Sequence, residues 1–202
     1  MAETTHSSDE ESPIHYRTIT AAMLQDLSEF SDSHGKFGYC SCMRWRMKSS
    51  DYHRSSKQSR ARKLKQMVGE GLPVGILAYA GTEPIGWCSI SPRESYEGLE
   101  RYKKLSRIDD ENDVWSVVCF FVDSRFRRRQ VTLGLLKAGL DYARSMGVRI
   151  VEGYPVGPGY GLYTYMGSPS TFRKAGFRDV TPKGRQRKVF RFYIEHSHCR
   201  VG

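Results

Sequence analysis

The chain has 202 residues, of which 39% are hydrophobic and 12% are aromatic. This is the length of one ordinary domain, and the apolar content excludes a wholly disordered chain. The 32 basic and 22 acidic residues give a net charge of +10. A surface of this charge favours anionic partners such as phosphates, nucleic acid or acidic lipid.

Two features of the sequence predict a cytoplasmic protein without a membrane partner. The longest apolar run, Val117–Val122, is far shorter than the ~20 residues that cross a bilayer. The first twelve residues also lack the basic-then-apolar order of a signal peptide. Because residues 1–12 are polar and acidic, they predict a disordered tail, and residues 13–202 are then one domain.

The five cysteines predict neither a disulfide framework nor a metal centre. Cys88 and Cys119 lie in apolar stretches, which is typical of small core residues. Cys40 and Cys42 have the spacing of two metal ligands, but no second cysteine pair follows and the histidines are scattered.

The first half of the chain predicts short strands and helices in alternation. In chain order these are a strand over Ile14–Thr20, a helix over Ala21–Phe30, a loop over Ser31–Gly38, a helix near Arg60–Val68, and a hairpin in which Gly81–Pro84 joins the apolar runs Pro73–Ala80 and Ile85–Ile90.

Residues 44–65 form a basic stretch, with nine lysines and arginines against one acid, Asp51. Basic stripes bind nucleic acid through phosphate contacts. No helix-turn-helix, zinc-finger or RNA-binding signature accompanies this one. The stretch therefore favours a solvated helix face, or a wall that attracts an acidic acceptor, over nucleic-acid binding.

The second half predicts a central strand, an amphipathic helix and a closing sheet. Leu133, Leu136, Leu140 and Ala143 share one helix face, and Gly147 ends that helix. The elements in order are a loop or short helix over Glu94–Asp113, a strand over Val114–Asp123, a helix over Val131–Met146, a strand over Val148–Val156, a loop over Gly157–Gly167, a helix over Ser168–Ala175, and strands over Phe177–Val180 and Lys188–Ile194. This order predicts a single mixed domain of the α/β (α+β) class.

The segment Val122–Leu136 carries the strongest chemical signal. A buried strand ends, four arginines fall within Arg125–Arg129, and a helix begins. Backbone N–H groups at a helix N-terminus and neighbouring arginines together bind phosphate oxygens. A solvated basic turn is the alternative interpretation.

This segment resembles the acyl-CoA pyrophosphate loop of the GNAT superfamily of N-acetyltransferases. Phe172–Phe177 resembles the second signature of that superfamily. The likeness extends to a subgroup of undefined substrate, on Cys40-Ser-Cys42 and on three further segments: Pro84–Cys88, Trp115–Phe121 and Glu152–Pro155. Together these motifs cover about residues 38–195.

The resemblance implies a mixed central sheet of six to seven strands with helices on both faces. It also implies that the fourth strand carries a bulge and splays from the fifth, and that acetyl-CoA binds as co-substrate in the gap. The residues expected to bind it are Phe120, Phe121 and Val122 on the strand edge, Arg127, Arg128, Arg129, Gln130, Val131 and Thr132 in the loop, and Ser168 and Phe172 beside the short helix.

Two positions depart from the family pattern. Gln130 and Thr132 occupy the two small positions of the loop, where glycine permits close backbone approach. Phe172 stands where many family members have a tyrosine that protonates the leaving thiolate. The acid is then expected to be Tyr165, Ser170 or solvent.

The general base and the acceptor pocket are expected near the splay. Glu152, at the end of the fifth strand, is the first candidate for the base, and Asp113 and Glu97 are weaker candidates. For each of the three, an ion pair is the alternative role. Aromatic side chains are the candidate pocket residues, although part of this set is expected to be core. They are Trp45, Trp87, Tyr154, Tyr160 and Tyr163.

The resemblance predicts an N-acetyltransferase that moves an acetyl group from acetyl-CoA directly to a primary amine of a small molecule, such as an antibiotic, toxin or metabolite. No cysteine is placed in a nucleophile–base pair, so no acyl-enzyme is expected. Acetylation of a protein lysine or N-terminus is one alternative. A degenerate domain that binds CoA or nucleic acid without chemistry is another, and dimerisation is left open.

Overall fold

A computed structural model describes residues 13–157 and 159–195. The acidic segment 1–12, for which the sequence predicts a disordered tail, lies outside the described residues. Within the described residues no helix combines the length and apolar character that crossing a membrane requires.

Within residues 13–157 and 159–195, seven strands form one sheet in the order β1-β2-β3-β4-β5-β7-β6. Their bounds are Ile14–Thr18 (β1), Ile76–Ala80 (β2), Glu83–Pro92 (β3), Val114–Val122 (β4), Ile150–Gly153 (β5), Arg178–Asp179 (β6) and Phe190–Tyr193 (β7). All neighbouring strands are antiparallel except β4 and β5, which are parallel.

The described part of the chain has seven α-helices around the sheet: Leu24–Ser33 (α1), Gly35–Cys40 (α2), Ser49–Arg54 (α3), Lys57–Gly69 (α4), Glu97–Glu100 (α5), Val131–Ser145 (α6) and Pro169–Lys174 (α7). A 3-10 helix over Gly161–Met166 precedes α7. This is the mixed sheet of six to seven strands that the sequence predicts.

The two faces of the sheet bury separate cores. On one face α6 packs its apolar stripe, including Leu135, Leu136 and Leu140, against residues such as Ile76 and Ile90 of the sheet. On the other face the core includes residues of α1, α2 and α4 together with Leu77, Tyr79 and Trp87. Helices therefore cover both faces, as predicted.

The predicted loop over Ser31–Gly38 is wrong, because α1 continues to Ser33 and α2 begins at Gly35. Serine and glycine favour loops in isolation. Here Phe30 and Phe37 are buried and their rings lie 4.8 Å apart, so packing against the sheet outweighs local preference.

Strands β4 and β5 separate halfway along β4. Their pairing runs from Val114↔Ile150 to Val117↔Gly153 and ends there, while β4 continues to Val122. On the other side of β4 the register with β3 shifts at Val118, which is the extra residue of a β-bulge. The expected bulge and splay are both present.

The ring of Phe172 fills the space where the two strands part. It is fully buried, lies 6.1 Å from the Phe120 ring, and faces Gly153 and Gly167 so closely that a Cβ on either would press on it. After Gly153 the chain leaves β4 and packs against the following loop, where the N–H of Val156 donates to the carbonyl of Gly167 at 2.9 Å.

Gly153→Ala should destabilise the protein by about 1–3 kcal/mol, because its methyl group would overlap the Phe172 ring in a packed interior. Gly157→Ala is the control, since nothing lies within 4 Å of its Cβ position. Urea unfolding of both variants measures the difference. Equal stability of the two would contradict this packing, and Phe172→Leu should restore part of the loss in Gly153→Ala.

Candidate functional site

An open strand edge and a cationic helix start meet at the end of β4. Phe120, Phe121 and Val122 occupy the part of β4 that has left β5, as the sequence predicts. Phe120 is buried, whereas Phe121 and Val122 are half-buried. A polar chain laid along this edge would gain β-type hydrogen bonds to the backbone.

In the loop from Asp123 to Gln130, two residues other than glycine have a positive φ angle. Arg128 has φ +64° and Gln130 has φ +58° with ψ +15°, both in the left-handed region. Each such residue costs about 1–2 kcal/mol relative to a right-handed conformation. Strain of this kind concentrates at functional sites, and Gln130 here adopts a conformation that glycine adopts without strain.

The N-terminus of α6 forms one end of a cationic cleft. The first N–H groups of a helix have no intrahelical acceptor, and the Gln130 side chain makes no capping hydrogen bond. The cleft has a volume of about 260 Å³, and its lining residues include no acid: Val122, Phe126, Arg127, Arg128, Gln130, Val131, Thr132, Leu133, Thr171 and Lys174. Its charge and exposed N–H groups suit a phosphate or pyrophosphate.

Most of the predicted loop residues line this cleft, and Arg129 does not. The guanidinium of Arg129 lies 5.4 Å from the centre of the Phe126 ring instead. Thr171 and Lys174 of α7 do line the cleft, and the sequence analysis missed both. Their signal was available, since they lie three residues apart on the helix that contains Phe172.

Asp123 anchors the loop to both neighbouring elements. Its carboxylate accepts a hydrogen bond from the N–H of Arg125 at 2.9 Å and contacts Nε2 of His34 at 2.9 Å. The Arg125 side chain also binds it, and this hydrogen bond holds the pKa of Asp123 well below its usual range. Sequence analysis missed this residue because His34 is distant in the chain.

The residues predicted on the short helix have different positions. Ser168 is the N-cap of α7, and its hydroxyl accepts from the N–H of Thr171 at 3.2 Å. Ser170 is exposed and hydrogen-bonded to Ser168 at 2.9 Å. Phe172 is fully buried between β4 and β5, so its contribution to the site is to hold the strands apart.

Glu152, the first candidate for the base, lies in a closed ionic network. Its side chain is 2% exposed, and its two oxygens lie 2.8 Å from Nη1 of Arg93 and 2.8 Å from Nε of Arg191. The hydroxyl of Tyr154 donates to it at 2.7 Å. Both oxygens are occupied by guanidiniums and the side chain is closed to solvent, so this position favours the structural alternative over the predicted role in proton transfer.

The two weaker candidates for the base also lie away from the splay. Asp113 is exposed at the start of β4, the opposite end of that strand. Glu97 is on α5, where it pairs with Lys48 and Arg101 at the surface.

The predicted pocket aromatics divide into core and candidate pocket residues. Trp87 and Tyr154 are fully buried, so their assignment to a pocket wall is corrected. Trp87 donates to the Cys42 sulfur at 2.8 Å. Tyr154 is hydrogen-bonded to Ser116 at 2.8 Å.

Trp45, Tyr163 and Tyr165 form a group that we call the aromatic cluster. The Tyr163 ring lies 6.4 Å from Trp45 and 6.2 Å from Tyr165. The cluster packs with Val118 and Cys119 of β4, at the bulge. Tyr163 and Tyr165 are half-buried, and Tyr160 beside them is 42% exposed.

Two titratable groups of this region are held in their neutral forms. A hydrogen bond with Cys42, together with burial, raises the pKa of the Cys119 thiol. Burial, and then the nearby Cys119 and Cys40, raise the pKa of Tyr165. At neutral pH Cys119 is therefore a weak nucleophile, and Tyr165 keeps its phenolic proton.

Among the described residues, no group of three or more histidine, cysteine or acidic side chains is placed to hold a metal ion.

The model of the acetyltransferase (GNAT) family matches residues 40–155. A search of curated proteins finds no match to this chain. Solved structures with the same fold include PaiA N-acetyltransferase from Thermoplasma acidophilum in complex with coenzyme A, at 12% identity and a TM-score of 0.51, with 90% of this chain and 99% of that chain covered.

Two further structures are similar in fold. YncA from Salmonella typhimurium with its cofactor acetyl-CoA has 12% identity and a TM-score of 0.52, and the match covers 91% of this chain and 96% of that chain. The ribosomal-protein-alanine N-acetyltransferase from Brucella melitensis has 16% identity and a TM-score of 0.51, with 89% and 99% covered.

Glu152→Gln should lower the free energy of unfolding by about 3–5 kcal/mol, because it leaves two buried guanidiniums without their shared carboxylate. Glu97→Gln is the control, since its ion pairs are exposed and contribute at most ~1 kcal/mol. Chemical denaturation measures both variants. A Glu152→Gln protein of wild-type stability would contradict the structural role and return Glu152 to the candidates for the base.

Proposed function

We propose that this chain, which belongs to the GNAT acetyltransferase family, moves an acetyl group from acetyl-CoA directly to a primary amine of a small molecule. One observation carries this proposal. The cationic cleft at the start of α6 shares Val122 with the unpaired edge of β4. A ligand with a pyrophosphate at one end and an amide-containing arm at the other matches this arrangement.

Each part of acetyl-CoA has a proposed partner in this arrangement. The N–H groups at the start of α6, with Arg127, Arg128 and Lys174, would hold the pyrophosphate. The edge of β4 from Val118 to Val122 would pair with the amides of the pantetheine arm. The thioester would then lie near the bulge, beside Cys119 and the aromatic cluster.

The reaction is an acyl transfer at the thioester carbonyl. The nitrogen of the neutral amine attacks this carbon, the C–S bond breaks, and the sulfur leaves with the electron pair. A backbone N–H at the bulge would stabilise the negative charge on the carbonyl oxygen. The amine loses one proton to water, and Tyr165 is the proposed donor of a proton to the thiolate.

Direct transfer is favoured because no activated cysteine is available at this site. Cys119 is the cysteine of β4 beside the proposed thioester, and its raised pKa keeps it a thiol. An acyl-enzyme would need a thiolate with a neighbouring base.

A small acceptor is favoured over a protein segment because the aromatic cluster is compact. Trp45 is 2% exposed, and Tyr163 and Tyr165 are half-buried. A protein lysine or N-terminus would need an open groove at this place. The degenerate-domain alternative is less favoured, since Gln130 adopts a left-handed backbone, a conformation that glycine adopts readily, and lines the cationic cleft.

The test is release of free thiol from acetyl-CoA in the presence of a panel of primary amines, with the acetylated product identified by mass. Amine-dependent thiol release and a product 42 Da heavier than the amine, the mass that follows from adding C2H2O, support the proposal. Saturable acetyl-CoA binding without turnover on small amines, peptides or ribosomal proteins would make the chain a non-catalytic CoA-binding domain.

Replacing Arg127 and Arg128 together by alanine should weaken acetyl-CoA binding by about 10- to 100-fold, because charge-assisted hydrogen bonds to phosphate are lost. Arg144→Ala, at the far end of α6, is the control and should bind normally. Calorimetry measures the affinities. The loop would have lost its cofactor role if the wild type failed to bind and Gln130→Gly bound.

Tyr165→Phe should lower kcat by about 100-fold while leaving acetyl-CoA affinity unchanged, because only the proton donor is removed. Tyr142→Phe is the matched control, since this half-buried tyrosine of α6 packs against Trp115 in a different core from the aromatic cluster. Steady-state kinetics with a saturating amine measures both variants. An unchanged kcat in Tyr165→Phe would contradict the role of Tyr165, and solvent would then be the donor of the proton to the thiolate.

A further inference from the structure

Arg187 is a buried cation without an anion. It lies in the segment between β6 and β7, is 3% exposed, and has no carboxylate partner among the described residues. Its Nη2 donates to the sulfur of Met166 at 3.1 Å, a weak acceptor, and its Nε has no hydrogen-bond partner. Its guanidinium lies 4.7 Å from the centre of the Tyr163 ring and 5.7 Å from that of Tyr160.

Three other buried arginines show how the fold accommodates such a charge. Arg46 donates to three hydroxyls and to the carbonyl of Val74. Arg93 is bound by Glu152 and Glu100. Arg191 is bound by Glu152 and Asp109. A buried guanidinium without an anion is unfavourable, and an apolar residue of similar length would stabilise the same position. Arg187 therefore has the features of a group that is paired by something outside the chain.

The position of Arg187 connects it to the proposed acceptor site. Tyr163, on which Arg187 lies, belongs to the aromatic cluster. Tyr165, the next member, is close enough to Cys119 of β4 for the thiol to contribute to its raised pKa. Arg187 and the bulge of β4 therefore both adjoin the aromatic cluster.

A second donor without a partner faces the same cluster. Nε1 of Trp45 is buried and makes no hydrogen bond, and its ring lies 6.4 Å from Tyr163. Arg44 adds a further positive charge, with its guanidinium 5.5 Å from the Trp45 ring. An indole N–H, a guanidinium and aromatic rings are groups that bind a small planar anion.

We propose that Arg187 binds a carboxylate of the acceptor, so that the substrate is an amino acid or a related amine that bears a carboxylate. This inference rests on the proposed acetyl transfer. A carboxylate carries one charge in a plane and can accept two parallel N–H bonds from one guanidinium. A phosphate would bring up to two charges to a buried place where one guanidinium is available to neutralise them.

The carboxylate can reach Arg187 past Tyr160. That ring covers the guanidinium but is 42% exposed, and its hydroxyl makes one hydrogen bond, to the carbonyl of Gln186. The carboxylate would therefore displace an exposed ring that the fold holds by a single hydrogen bond.

The experiment compares amino acids with the amines formed by removing their carboxylate, for example tyrosine with tyramine and lysine with cadaverine. Thiol release from acetyl-CoA measures kcat/KM for each. We expect the amino acid of at least one pair to be preferred by about 10- to 100-fold. Arg187→Met should abolish this preference, and Arg185→Met should retain it, because Arg185 is held by Ser106 in the same segment.

A stability measurement separates recognition from a structural role. If Arg187 serves an external carboxylate, Arg187→Met should raise the melting temperature of the free protein, because it removes a buried unpaired charge. A lower melting temperature with equal loss for amino acid and amine would overturn the proposal. So would a wild-type enzyme that prefers the amine, or one that prefers phosphoethanolamine to every amino acid.

Binding without turnover keeps this proposal distinct from the proposed function. If acetyl-CoA binds but no amine releases thiol, acetyl transfer is wrong, and amino acids are then titrated by calorimetry into the CoA-bound protein. Amino-acid binding that Arg187→Met abolishes would support the carboxylate site by itself. No binding by any amino acid would overturn it.

Discussion

The separation of β4 from β5 after Val117 is the constraint on which the site depends. A parallel pair that continued to Val122 would satisfy the backbone of both strands and leave no edge for a ligand. The bulge at Val118 and the Phe172 ring both act at this point, one by shifting the register with β3 and the other by filling the gap. The glycines at 153 and 167 provide the room for that ring.

The arginines of three regions differ in how their charge is neutralised. On the β5–β7 side, Arg93 and Arg191 are neutralised internally by Glu152 and its neighbours, and the network fixes the end of β5. At the start of α6, Arg127 and Arg128 are exposed and line a cleft without acids. Arg187 is the third case, buried with the sulfur of Met166 as its hydrogen-bond acceptor and with no carboxylate partner among the described residues. The first set stabilises the fold, and we propose that the other two bind anionic groups of ligands.

Much of the fold could be predicted because its signals are local. The apolar run that became β4, the stripe of α6 and the Gly81–Pro84 hairpin each depend on neighbouring residues. The family resemblance added the splay and the bulge, which no local pattern indicates. The helical structure of Ser31–Gly38 could not be predicted, because burial of Phe30 and Phe37 against the sheet decides it.

The site was less predictable than the fold, since its contacts join distant parts of the chain. The position of Glu152 at the end of β5 suggested a base, but Arg93 and Arg191, which are distant in sequence, bind its two oxygens. Trp87 and Tyr154 could not be separated from Trp45 and Tyr163 by residue type, because burial distinguishes the two pairs. Arg187 carried no sequence signal at all, as one basic residue in a basic chain. Its proposed role comes from its burial without a carboxylate partner among the described residues.

Hydrogen–deuterium exchange with and without CoA tests most directly whether the open edge of β4 and the start of α6 form the cofactor site. The account predicts slower exchange in peptides that cover residues 118–134 when CoA is bound, because their N–H groups acquire acceptors. Peptides of β1 and β2, at the other side of the sheet, should be unchanged. Saturable CoA binding that protects another segment and leaves residues 118–134 unprotected would contradict the account.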